Sequence, residues 1–368
     1  MHINLFLIPF VIILGLLFVA KDNQNNRRLY IILCSSVLLF VAAMRSPEYM
    51  TETYSIDSLN YKSMFEQSFD TTWTDVWSSV GGRVRGLNDD SDIGYVVLNK
   101  AIGLFTHEFY VFSLLVDLLF FIPFGIILYR FSNNILQLVF AFVFYISLIQ
   151  VYLIGGGRQM FAIGLDMMAL LSIIDGRKIR TIIFIILGVS IHFSSLLFLI
   201  PIVLIWLNVK PLPLKILHIV CFILFPIVLL FPNQIISYMG EFVGSEHYAE
   251  YGRKVIQGGT TTFIFLIELL SLFCLVSIKE TDLKENKYMI PFYVMAPFFT
   301  FFSPLIRSNG TMIRIALYFF TYLVLLVPFG IECTITKNRR IIYYAVILSL
   351  AALALRGGGI SYYFFWQV

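Results

Sequence analysis

Arg45, Arg158 and Arg314 have the least obvious reason to be where they are, because each sits at the end of a long apolar run. Carrying an arginine to mid-membrane costs ~2.5–3.5 kcal/mol, so such a charge normally faces a cavity or a partner. One reading is snorkelling, in which the long side chain reaches back to the lipid headgroups. The other is an anion site. Arg307 and Arg356 fall near the same level, and five arginines are an excess on a side whose loops are normally poor in them. A guanidinium meets two phosphate oxygens at once, so a cluster of them suits a polyanion. Arg158 has more behind it. It follows Gly155–Gly157 and opens a helix, whose free N–H groups and positive dipole end favour an anion. Glycine lets a phosphate approach the backbone closely.

His192, in VSIHFSSLLF, is read as the one histidine well inside an apolar stretch. It is either a satisfied core residue or a base and hydrogen-bonding group in a site. Asp57 and Tyr61 lie four residues apart, on one face of a helix, and Trp73 and Trp77 share that spacing. Aromatic faces beside acids and amides are what sugar recognition needs. An interfacial aromatic belt accounts equally well for the two tryptophans.

Several long helices must position these groups. The chain has 368 residues, 59% hydrophobic and 13% charged, against ~25% charged for a soluble protein. Apolar runs of about eighteen residues recur along it and read as transmembrane helices. This is an all-α polytopic membrane protein with about 11–12 spans, at 3–20, 29–44, 109–129, 135–154, 159–174, 181–206, 214–231, 260–278, 289–306, 311–332 and 340–355. The first run has its positive charges after it, unlike a signal peptide, which puts the N-terminus outside. No repeat is visible, so residues 1–368 form one integral membrane domain.

The positive-inside rule places the basic connections 21–28, 175–180, 279–287 and 336–340 in the cytoplasm. Parity then fails if 181–206 crosses once. The repair is a broken helix: two short halves meet near His192 and return to the cytoplasmic side. Irregular backbone at membrane depth is tolerated only where it lines protein or a water cavity, so this break predicts a cavity at His192. On this topology the cytoplasmic loops hold fifteen of the twenty-six Lys and Arg but six of the twenty-two Asp and Glu. The acids gather in two exoplasmic loops, 45–108 and 232–259. Within the first, 91–105 is apolar but short and reads as a helix lying at the membrane surface.

The four cysteines form no CxxC pair, and the histidines show no ligand spacing. They give no sign of a metal site, and the cysteines read as small buried hydrophobes.

Taken in order, several motifs carry a resemblance: AAMRS at 42–46 with Asp57 and Tyr61, DIGYVVLNK at 92–100, GGGRQMFAIG at 155–164, SIHFSSLLF at 190–198 and IRIALYF at 313–319. The chain resembles the EpsG-type, Wzy-like polysaccharide polymerases over nearly its whole length. That family more often has Glu where this sequence has Asp92, so no catalytic role is assigned there. The resemblance implies a GT-C-like fold and a lipid-linked glycosyltransferase at the outer face of the bacterial inner membrane. Such an enzyme transfers a growing glycan from undecaprenyl pyrophosphate to a lipid-linked repeat unit, in O-antigen or capsule assembly. No metal, cofactor or nucleic acid is implied, and a chain-length regulator protein is a further partner. On this reading Arg45, Arg158 and Arg314 bind pyrophosphate. His192 and Asp57 compete for the acceptor proton, and Arg158 is catalytic. Tyr61, Tyr95, Asn99, Trp73 and Trp77 bind glycan. An O-antigen ligase and a lipid-glycan flippase are the alternatives.

Overall fold

The computed structural model describes residues 2–48, 56–84, 92–154, 157–243, 261–308, 310–335, 337–356 and 362–367. Among them there is no strand, and Arg45 and Phe364 form an isolated antiparallel bridge. In lipid every backbone polar group must be satisfied within the chain, and a helix does this without help from neighbours.

The chain divides into two compact units: residues 1–196 with 340–368, and residues 197–339. The first unit begins with α1 (Asn4–Val19) and α2 (Gln24–Ala43). It continues through α3 (Ile56–Asp70), α4 (Trp73–Val84) and α5 (Ile93–Gly103), which occupy the first exoplasmic loop of the sequence reading. Then come α6 (Phe109–Phe131), α7 (Ile135–Leu153), α8 (Gly157–Ile174) and α9 (Lys178–Ile191). Local signals set several ends. The Asn23 and Asn134 side chains accept N–H bonds from Asn26 and Gln137, capping α2 and α7. Gly176, at φ 73°, ends α8 in a left-handed turn in which the Arg177 N–H reaches Ser172 O.

Helix association in lipid depends on close packing rather than on water exclusion. In the first unit α8 is the centre, packed against both α6 and α9. A Cβ on Gly164 would run into the Leu119 backbone, so glycine is what lets α8 meet α6. Helix α7 is buried along its length and carries a π-helical turn at Tyr145–Ile149.

The second unit contains α10 (Leu199–Trp206), α11 (Pro211–Leu230), α12 (Pro232–Val243), α13 (Thr261–Ser277) and α14 (Glu280–Glu285). After them come α15 (Lys287–Arg307), α16 (Ile313–Phe320) and α17 (Leu323–Thr334). Helix α18 (Arg339–Arg356) belongs almost wholly to the first unit.

The helices fall close to the spans expected from sequence, but fewer meet the full length and apolarity of a crossing. Among the described residues six do: α2, α6, α7, α8, α11 and α15. The pair α16 and α17, bent by 49°, makes a seventh if taken as one span. At ~1.5 Å per residue, the 16 residues of α1 and the 17 of α13 fall short of a ~30 Å hydrocarbon core.

The expected break near His192 is present. His192 is extended, at φ −152° and ψ 114°, and ends α9; a 3-10 helix, Phe193–Phe198, follows before α10.

Candidate active site

Asp92, which the sequence reading left without a role, stands at the centre. It precedes α5, and its carboxylate accepts from Arg158 Nη1 at 2.6 Å and from the Phe193 N–H at 3.2 Å. His192 Nδ1 lies 3.6 Å from Oδ2, the oxygen that Arg158 bonds, too far for a hydrogen bond but close enough for an ion pair once protonated. Neither nitrogen of the His192 ring has a hydrogen-bond partner, although both are shielded from solvent. Asp92 is 8% exposed. It is therefore a buried carboxylate held by one charged and one backbone donor.

The first unit brings the other groups here by close helix approach. Gly94 permits α5 to lie on α9: an added Cβ would sit 2.9 Å from the Ser190 backbone and 2.8 Å from its Cβ. Ser190 is two residues before His192, so this contact sets the distance between Asp92 and the imidazole. Below the break, Ser195 Oγ lies 2.8 and 2.9 Å from the two carboxylate oxygens of Asp166, on α8. Both residues are buried. Asp166 thus ties the turn after His192 to the helix that Arg158 opens.

Arg158 lies in an aromatic box. Its guanidinium carbon is 5.2 Å from the Tyr61 ring centre and 5.5 Å from that of Tyr95. The two rings meet edge to face at 5.7 Å. This fixes the guanidinium plane by cation–π attraction, while Arg158 Nε keeps no hydrogen-bond partner. Asn99 and Tyr95 line the same face of α5, one turn apart, and both are buried.

Arg45 is 3% exposed, with Nε and Nη1 unbonded. It lies within electrostatic reach of Tyr95 and of Asp117, a buried carboxylate on α6. The C-terminal segment clamps its backbone. Ser46 N–H donates to Tyr363 O at 2.8 Å, Phe365 N–H donates to Met44 O at 3.1 Å, and the Tyr362 hydroxyl donates to Val41 O.

Of the sequence-derived residues, Arg158, His192, Tyr61 and Tyr95 therefore converge around Asp92, with Asn99 and Arg45 beside Tyr95. Asp57 sits one turn before Tyr61 at the start of α3. Trp73 and Trp77 stack on each other at 6.1 Å on α4, with Trp77 exposed. Arg314 is half-buried on α16 in the second unit. Asp92, Asp117 and Asp166 were missed. The signal for the last two was a carboxylate inside an apolar run, a default mark of a site in a membrane protein. Among the described residues no group of His, Cys, Asp and Glu could hold a metal ion.

A buried acid between a cation and an imidazole can orient the imidazole and stabilise it when it takes a proton. Unbonded arginine nitrogens beside it can receive an anion. A family model described as the EpsG family matches residues 49–356. No curated protein and no solved structure matches the chain.

Proposed function

The chain belongs to the EpsG family, and from that premise we propose that it joins lipid-linked oligosaccharide repeat units at the outer face of the cytoplasmic membrane. Family membership itself carries a polysaccharide-polymerase type of function, that of a glycosyltransferase-like membrane enzyme. The finer reading rests on one observation: Asp92 is held between Arg158 and His192, with the free ring nitrogens of His192 beside it.

In the proposed reaction a hydroxyl of the acceptor sugar attacks the anomeric carbon of the donor glycan. The bond from that carbon to the pyrophosphate oxygen breaks, and its electron pair leaves with polyprenyl pyrophosphate. His192 Nε2 takes the hydroxyl proton. Asp92, near Nδ1, stabilises the imidazolium that results. Arg158 and Arg45 meet the charge developing on the leaving pyrophosphate, where fixed cations act most strongly in a water-poor site. The reaction needs no redox step. Tyr61 and Tyr95 hold Arg158 in place and offer ring faces to the glycan. Asp57 becomes the less favoured base, because the His192 ring lies beside a carboxylate that can stabilise it once it takes a proton. Trp73 and Trp77 remain proposed glycan contacts, and Arg314, which lies in the second unit, has no part in this reading.

Deletion of the gene, with the surface glycan resolved on a gel, is the direct test. A polymerase leaves single-repeat material when lost. Loss of a ligase or of a flippase removes surface glycan altogether, and that outcome refutes the proposal. Complementation with wild type but not with His192→Gln then ties the phenotype to this site.

A further inference from the structure

The second unit carries a cationic cavity that the proposed chemistry does not use. It holds about 400 Å³ and opens between the end of α10, the start of α11, α14 and the start of α15. Lys210 and, from the connection 279–287, Lys284 and Lys287 converge on it, and no carboxylate lines it. Its wall is apolar, with Ile205, Ile290 and Val294 among the side chains. Lys284 is paired with Glu280 at 2.5 Å. Lys210 and Lys287 make no ion pair among the described residues. Lys215, one turn further along α11, is spent differently: its ammonium donates to Leu275 O and Ile278 O and caps α13.

We propose that this cavity binds an anionic phospholipid bearing two phosphates, of the diphosphatidylglycerol type. Charge sets the headgroup. Three lysines with one offset by Glu280 leave two uncompensated cations for two phosphates. Lysine suits the task as a mobile point charge, without the planar geometry an arginine imposes. The wall sets the rest, since a soluble polyanion gains nothing from isoleucine and valine, whereas acyl chains do. The connection 279–287 is one that the positive-inside rule assigns to the cytoplasm, and the broken-helix topology brings Lys210 to the same side. The cytoplasmic leaflet carries anionic lipid, and basic pockets between helices on that side suit such headgroups.

The test uses full-length protein, delipidated and then returned to nanodiscs of phosphatidylethanolamine with one tenth diphosphatidylglycerol. Native mass spectrometry reads the lipid retained. Two uncompensated charges near the surface predict about a thirtyfold preference for the anionic lipid. Lys210→Gln with Lys287→Gln should cut retention at least tenfold and leave repeat-unit transfer unchanged in phosphatidylethanolamine alone. Lys210→Arg with Lys287→Arg should keep the lipid. Ile290→Trp fills the wall with every charge in place and should lose it, so the proposal stays testable if the glutamine variant does not fold. Equal retention of zwitterionic lipid overturns the proposal, as does undiminished retention in the glutamine or tryptophan variants. Heat protection by soluble tripolyphosphate equal to that by the lipid also overturns it, in favour of a soluble anion.

Discussion

His218 and His192 both lie among apolar helices, one in each unit, and they differ in how their rings are satisfied. His218 is fully buried in α11; Nδ1 meets Tyr293 Oη at 3.1 Å, while Nε2 meets Ser271 Oγ at 2.9 Å and Thr300 Oγ1 at 3.3 Å. Every polar edge of that ring is used by the protein. The His192 ring has no hydrogen-bond partner and lies 3.6 Å from a carboxylate already held by an arginine. A buried group left unbonded carries a desolvation penalty of ~1–3 kcal/mol. Burial among apolar helices does not distinguish the two rings, but hydrogen-bond satisfaction does.

The sharpest way to break this contrast is to make the same change in both places. His192→Gln should lower repeat-unit transfer by ~10²–10⁴, the usual worth of a general base, with melting temperature and lipid-pyrophosphate binding near wild type. His218→Gln should do the reverse. It strands hydroxyls of Tyr293, Ser271 or Thr300, each at ~1–3 kcal/mol, so the melting temperature falls while turnover per folded molecule holds. Equal loss of turnover in the two variants would dissolve the distinction.

Asp92→Asn comes next. It preserves shape and removes the charge that faces both Arg158 and His192, so transfer should fall about a hundredfold or more. Asp92→Glu, which keeps the carboxylate, should retain a substantial fraction. If Asn is tolerated as well as Glu, Asp92 is a packing residue.

For Arg158→Lys we expect a loss close to that of Arg158→Ala, on the order of a hundredfold, in protein that inserts normally. Lysine keeps the charge but not the planar fork that fits a phosphate and lies between Tyr61 and Tyr95. A lysine variant that makes long chains at the normal rate would favour snorkelling.

Gly94→Ala probes the frame rather than the chemistry. The new Cβ meets the Ser190 backbone, which must shift and carry His192 away from Asp92. About a tenfold fall in kcat at nearly constant KM is the expected outcome, because small misplacements of reacting groups act on rate. An unchanged kcat would mean that the α5–α9 contact does not set the site.

The smallest effect should come from Arg130→Gln. Arg130 pairs with Asp175 at 2.7 Å on the exposed side of the α8–α9 turn. The hydrogen bond from Arg130 holds the Asp175 carboxyl below its usual range. A lowered folded pKa gives stability that is present above the unfolded value and lost as pH falls through the folded one. For an exposed pair that contribution is ~0–1 kcal/mol. Thermal melts at pH 7 should barely move, and any difference from wild type should vanish in acid. A large shift would mean that the turn carries more of the fold than its exposure implies.

Much of the architecture is determined by sequence alone, because in lipid each span must satisfy its own backbone and so announces itself by length and apolarity. The break at His192 was legible for the same reason, from a polar patch in an overlong run and the charges of the flanking loops. Arg158 was legible as a helix-opening charge after three glycines. Only tertiary structure decided Asp92, which joins His192 from a hundred residues away because Gly94 lets two helices touch. Only tertiary structure separated His192 from His218, since sequence records a ring's neighbours along the chain and not the hydroxyls that approach it across the bundle. The clamp of the C-terminal segment on Arg45 was likewise hidden: a backbone bridge between residues 45 and 364 depends on the path of the chain, and their side chains carry no mark of it.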